Sequence, residues 1–102
     1  MNHASEIKYF IHQFSGAEPV FLEGCCYWFA MILCERFGGT IRYAPIDNHF
    51  FTEISGRYYD IRGDITDKYI QELSILWNTL CLTNNIQYAR IVRDCIKKLP
   101  NT

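Results

Sequence analysis

A cysteine at position 26, a histidine at 49 and an aspartate at 60 follow one another along this chain. These are the three residue types that together perform acyl transfer. A thiolate attacks a carbonyl, an imidazole carries the proton, and a carboxylate holds the imidazole in one orientation. The chemistry requires that the three side chains meet, so the elements that carry them come next.

Residues 23–39, EGCCYWFAMILCERFGG, hold the cysteine. From Cys25 to Phe37 apolar side chains run almost all round, which predicts a central helix covered on most sides. Gly38 and Gly39 supply its left-handed stop. Gly24 lets the chain turn tightly into the helix, so Cys25 or Cys26 occupies the first turn. There the unpaired N–H groups and the positive end of the dipole stabilise a thiolate, and the same groups can receive a developing oxyanion. Consecutive helical residues point about 100° apart, so only one thiol can face a neighbouring sheet. Cys26 shares its side with Ala30, Leu33 and Cys34, which leaves room for a sheet to approach. Cys25 is read as a packing residue or as solvent-facing at the cap.

The histidine and aspartate fall on a hairpin. HFFTEI (49–54) and RYYDIR (57–62) alternate as strands around Ser55-Gly56, where Gly56 provides the positive φ of a two-residue turn. In this register Ile54 faces Arg57, Phe51 faces Asp60 and His49 faces Arg62. Alternation then places His49, Phe51 and Glu53 on one face with Tyr58, Asp60 and Arg62. His49 and Asp60 become diagonal neighbours within hydrogen-bonding reach. A slip of one residue would put them on opposite faces. Tyr58 lies beside the pair, where it can line a substrate groove.

Around these elements, Ile7, Phe10, Ile11 and Phe14 form a stripe that predicts a helix over residues 4–14. TIRYA (40–44) reads as a strand and PIDN (45–48) as a loop. Residues 64–82 are helical in composition, as one or two short helices. A final helix runs from about Thr83 to Pro100, with Tyr88, Ile91, Val92, Cys95 and Leu99 on its apolar stripe. The expected fold is therefore α+β: a central helix with a cysteine at its N-terminus, packed on a small antiparallel sheet with flanking helices. At 102 residues the chain is read as a single domain, 1–102.

Composition narrows the function classes. A net charge of −1 gives no footprint for nucleic acid. No apolar run approaches the roughly 20 residues of a membrane span, and the N-terminal residues lack the apolar core of a signal peptide. The chain is accordingly read as cytoplasmic, with its five cysteines reduced. The spacing of Cys25, Cys26, Cys34 and His49 matches no common zinc knuckle, so neither metal nor cofactor is expected. Cys34, Cys81 and Cys95 read as core thiols.

Gly24-Cys25-Cys26 followed by Tyr27-Trp28-Phe29 resembles the papain-like superfamily, whose nucleophile sits in a Gly-x-Cys context before an aromatic-rich helix. NHFFTEISGRYYDIRG (48–63) is similar to the transglutaminase-like branch, in which histidine and aspartate come from successive strands. The resemblance covers residues 20–64 and extends to small bacterial and phage proteins of that superfamily. It implies a minimal papain-like fold and a cysteine-dependent peptidase, isopeptidase or amidase/deamidase acting on a protein or peptide. Cys26 would be the nucleophile, His49 the base and Asp60 the orienting acid, with Tyr27 and Trp28 near the substrate. The chain departs from the pattern in lacking an upstream glutamine in AEPVFLEG, and in placing His49 close behind Cys26 where papain-type enzymes have about 130 intervening residues. These departures define an alternative: a catalytically silent domain of the same fold, of phage or mobile-element origin, that binds and inhibits a protein partner.

Overall fold

The computed structural model describes residues 4–14, 16, 26–83 and 89–92, with 81–83 as backbone only. Strand β2 (His49–Ile54) is the middle of a five-stranded antiparallel sheet. It is flanked by β1 (Thr40–Ala44) and β3 (Arg57–Asp60), and the short strands β4 (Gly63–Asp64) and β5 (Ile75–Leu76) form the edges, in the order β4-β3-β2-β1-β5. The helices are α1 (Ala4–His12), α2 (Cys26–Phe37), α3 (Thr66–Tyr69) and α4 (Trp77–Thr83). The arrangement is α+β, and no helix among the described residues is long and apolar enough to cross a membrane.

The β2–β3 hairpin has the register that a two-residue turn dictates, with Ile54 opposite Arg57, Glu53 opposite Tyr58 and Thr52 opposite Tyr59. Ser55 (φ 53°) and Gly56 (φ 81°) both sit in the left-handed region, the backbone combination that matches the twist of the flanking strands. All of β2 except the half-buried Glu53 is buried, because helices cover both of its faces.

Helix α2 lies across one face. Its small Ala30 lets the sheet come close enough for the buried Thr52 hydroxyl to donate to the Ala30 carbonyl at 2.8 Å. One apolar cluster on this face joins Cys26, Ala30, Tyr43, Phe50, Trp77, Leu80 and Ile91. A second joins Phe29 and Leu33 to Ile7 and Ile11 of α1 and to Ile54, Tyr59 and Ile61, with Phe10 and Phe14 packed against it. The α1 stripe read from the sequence is thus the buried stripe. At the end of α2 the Gly38 N–H donates to the Cys34 carbonyl at 2.8 Å. Gly39 (φ 97°) passes so close to β2 that an added Cβ would lie 2.3 Å from the Glu53 carbonyl oxygen, so this position admits only glycine.

Two expectations are corrected. The strand expected to reach Arg62 stops at Asp60. The Asp60 carboxylate accepts the Arg62 backbone N–H at 2.7 Å, and Gly63 (φ 105°) turns the chain back, so that Gly63 pairs with Asp60 and Asp64 with Tyr59. Residues 64–82, expected to be helical, contain α3 and most of α4 but also the second residue of edge strand β4 and all of edge strand β5. Arg42 of β1 donates from Nε to the Ser74 hydroxyl (2.8 Å) and from Nη2 to the Ser74 carbonyl (3.0 Å), which draws Ile75 and Leu76 alongside β1. Tertiary pairing overrides a local helical preference here.

Helix α3 is seated on the opposite face of the sheet. The Ile65 N–H donates to the Tyr58 carbonyl, the Tyr58 N–H to the Thr66 hydroxyl, and the Thr66 N–H to the Asp64 carboxylate. Ala44, Phe51, Ile65 and Tyr69 form a small cluster there, with Tyr58 at its edge. The expected final helix falls mostly outside the described residues, as do Cys25, Cys95 and the side chain of Cys81. Of its stripe, Ile91 is fully buried and Val92 half-buried.

Candidate active site at the start of strand β2

The tight turn that ends β1 delivers His49 to the first position of β2. Asn48 sits at φ 52°, and its side-chain oxygen accepts from the Tyr43 hydroxyl. Because the hairpin register is fixed, His49 and Asp60 emerge on the same face, and the imidazole Nε2–H donates to Asp60 Oδ2 at 2.8 Å. Both residues are buried, with 5% and 4% of their surface exposed. Occupation of Nε2 by a carboxylate, which can only accept, leaves Nδ1 as the nitrogen able to exchange a proton elsewhere.

Cys26 opens α2 where that helix abuts the start of β2. Its sulfur accepts the Phe50 backbone N–H at 3.4 Å, which sets it beside the residue that follows His49. The imidazole is thus held by a carboxylate with a thiol in its neighbourhood. Burial alone would push the His49 pKa down. The hydrogen bond that the ring donates to Asp60, the neighbouring Cys26 and the carboxylate charge outweigh burial and lift the imidazole to about 9. Burial likewise acts to raise the Asp60 pKa, but hydrogen bonds from His49 and Arg62 hold the carboxyl below its ordinary value. Cys34, the other described thiol, behaves differently. It donates to the Gly39 carbonyl at 3.3 Å, and burial with the neighbouring Glu35 charge pushes its pKa up.

The family model of the phage YunG-like proteins matches residues 4–97. The chain belongs to the phage YunG-like family. No curated protein and no solved structure matches it.

In this YunG-like chain the surroundings of His49 come largely from α3. The Tyr69 ring stacks on the imidazole (centroids 5.9 Å apart, 25° between planes), and Phe51 stacks on it at 6.2 Å. The Tyr69 hydroxyl donates to Asp47 at 2.7 Å. An open pocket of about 350 Å³ next to the imidazole is lined by Asp47, His49, Arg62, Lys68 and Tyr69. Among the described residues no group of three His, Cys, Asp or Glu side chains could hold a metal ion.

The aromatic residues expected near the substrate are packed as follows. Tyr27 packs edge-on against Phe50 (5.1 Å) and Trp77 (6.1 Å). Trp28 borders an apolar groove with Phe10, Met31 and Ile32. Tyr58 is half-buried against Phe51 at 5.0 Å, with the Arg42 guanidinium over its ring. Sequence reasoning missed the Phe50 N–H, a backbone contact that carries no sequence signal. It also missed Tyr69 and Asp47, which lie 22 residues apart and meet only through the fold.

Proposed function

We propose that the chain is a cysteine-dependent acyl-transfer enzyme with a minimal papain-like or transglutaminase-like site, acting on an amide bond of a protein or peptide. The observation that carries this reading is that Asp60 holds the buried His49 at Nε2 (2.8 Å) while the Cys26 sulfur lies 3.4 Å from the backbone N–H of the next residue, Phe50. In the reaction, the Cys26 thiolate attacks the carbonyl carbon and the carbonyl electron pair moves to oxygen. Collapse of that intermediate expels the amine, which takes its proton from the His49 imidazolium and leaves a thioester. His49, now neutral, removes a proton from an incoming water or amine, which attacks the thioester and returns the sulfur. Asp60 stabilises the imidazolium and holds its orientation throughout. The Phe50 N–H, directed at the sulfur, helps to fix its position at the strand end.

One observation favours the alternative of a silent, partner-binding domain. The sulfur side chain is only 6% exposed, and the pocket beside the imidazole is walled by residues on the His49 side. Limiting iodoacetamide at pH 6, followed by peptide mapping, separates the two readings. The enzyme reading expects Cys26 to be labelled first, with Cys34 far slower, and expects His49→Ala to abolish the preference. Uniform labelling that ignores the histidine substitution would favour the silent domain.

A further inference from the structure

The Asp60 carboxylate has a second partner besides His49. Three donors of Arg62 make four hydrogen bonds to it: its backbone N–H to Oδ1 at 2.7 Å, Nε to Oδ2 at 3.0 Å and to Oδ1 at 3.3 Å, and Nη2 to Oδ2 at 2.5 Å. This geometry comes from the turn that ends β3. Gly63 reverses the chain directly after Arg62, which folds the guanidinium back over the residue two positions earlier. The contacts do not stop there. Arg62 also lines the same pocket as Tyr69, whose hydroxyl is bonded to Asp47 and whose ring stacks on His49.

An aspartate that receives one hydrogen bond can rotate its carboxylate about the side-chain axis. Here a planar guanidinium and a backbone N–H grip both oxygens, so the lone pair of Oδ2 aimed at His49 is fixed in direction. We propose that Arg62 is a positioning residue for the site: it locks the Asp60 carboxylate in the plane that orients His49, with the Tyr69–Asp47 pair beside it in the same pocket. The proposal rests on reading Cys26, His49 and Asp60 as a reactive site, but its test does not depend on that reading.

Charge and orientation predict opposite signs. The groups facing the imidazole are Cys26 from α2, Asp60 and Arg62 from the β3 end, Tyr69 and Lys68 from α3, and Asp47 from the β1–β2 turn. If Arg62 acted only as a nearby cation, Arg62→Gln would remove a positive charge and the His49 pKa would rise. If Arg62 holds Asp60 in place, the carboxylate swings away and the His49 pKa falls. The experiment is an NMR titration of the His49 ring in parent, Arg62→Gln, Arg62→Lys and Tyr69→Phe, with Cys26 alkylation at pH 6 measured alongside. The proposal expects a fall of about one unit or more in Arg62→Gln, matched by roughly tenfold slower alkylation. Arg62→Lys, which keeps the charge but not the fork, should fall between parent and Arg62→Gln. Tyr69→Phe, which keeps the ring, should shift the same way by less. A rise, or parental values in Arg62→Gln, would overturn it. Should that variant fail to fold, parental values in both other variants would overturn it equally. An unreactive Cys26 in the parent would instead sink the enzyme reading and leave the titration result standing.

Discussion

The two faces of the sheet are built from alternate residues of the same strands, yet they do different work. Beneath α2, Tyr43, Phe50, Ile54 and Tyr59 are buried against apolar neighbours, and the single polar member, Thr52, is satisfied by a helix carbonyl. On the other face Arg42, His49, Glu53 and Asp60 stand where the dry face has rings, and they are paired: Arg42 with Glu53 at 3.1 Å and His49 with Asp60 at 2.8 Å. The dry face fixes the register and the polar face uses it. A slip of one residue in the hairpin would put His49 and Asp60 on opposite faces, so apolar packing on one side enforces hydrogen-bond geometry on the other. Cys26 is the link between them, lodged among the apolar residues while its sulfur reaches the strand end where His49 begins.

Breaking the dry face should cost most. Phe50 is fully buried among Tyr27, Tyr43 and Trp77, and Phe50→Ala should lower the unfolding free energy by about 3–5 kcal/mol in a urea melt. It should also loosen the backbone N–H that contacts Cys26. A smaller loss would mean that the aromatic cluster does not set the register.

On the polar face the largest expected effect is a pH dependence. The His49 pKa stands at about 9 in the fold against an ordinary 6.5. Its contribution to stability is therefore fully present below pH 6.5 and is lost as the pH rises through about 9, a decline of up to about 3 kcal/mol. Denaturant melts between pH 6 and 10 should show this decline in the parent and not in His49→Gln. The carboxylate partner acts at the opposite end. Asp60 is held below its ordinary value, so its contribution is present above the usual carboxylate range and is lost as the pH falls through the depressed value.

Gly56→Val tests the coupling of the faces through the turn. A β-branched residue at φ 81° should cost about 1–3 kcal/mol in a thermal or denaturant melt, and the His49 ring resonances should shift with it. Parental stability would contradict the turn geometry. The smallest effect is expected at Asp64, which binds the half-exposed Arg57 at 2.8 Å and the Thr66 N–H at 2.9 Å. Asp64→Asn should cost no more than about 1 kcal/mol, since an amide oxygen still accepts from Thr66. The parental pKa of about 2 places any acid sensitivity of this pair at very low pH.

How much of this was legible in the sequence follows from what determines each feature. The meeting of His49 and Asp60 could be worked out because a two-residue turn at Ser55-Gly56 leaves one register, and alternation does the rest. The choice of Cys26 rested on helix geometry and on the small Ala30, whose carbonyl the sheet does reach. Strands β4 and β5 were not legible. Each is two residues long and exists only by pairing, β4 through the Asp60–Arg62 turn and β5 through Arg42 holding Ser74. The packing partners of Tyr27, Trp28 and Tyr58, which lie on other elements or are set by the fold, carry no local sequence signal. Tyr69 entered the site because α3 is pinned beneath β3, a contact that no local pattern announces.

The most direct test of the central claim is the pH dependence of Cys26 alkylation in the parent and in His49→Ala, followed by mass spectrometry from pH 5 to 10. If the imidazole and the sulfur form a working pair, the parental rate at pH 6 will stand within a few-fold of its rate at pH 9. The His49→Ala rate at pH 6 will drop by at least tenfold, with no comparable change at Cys34. A parental rate that climbs steeply only above pH 8, unaltered by the substitution, would contradict the account and leave Cys26 as a packing thiol.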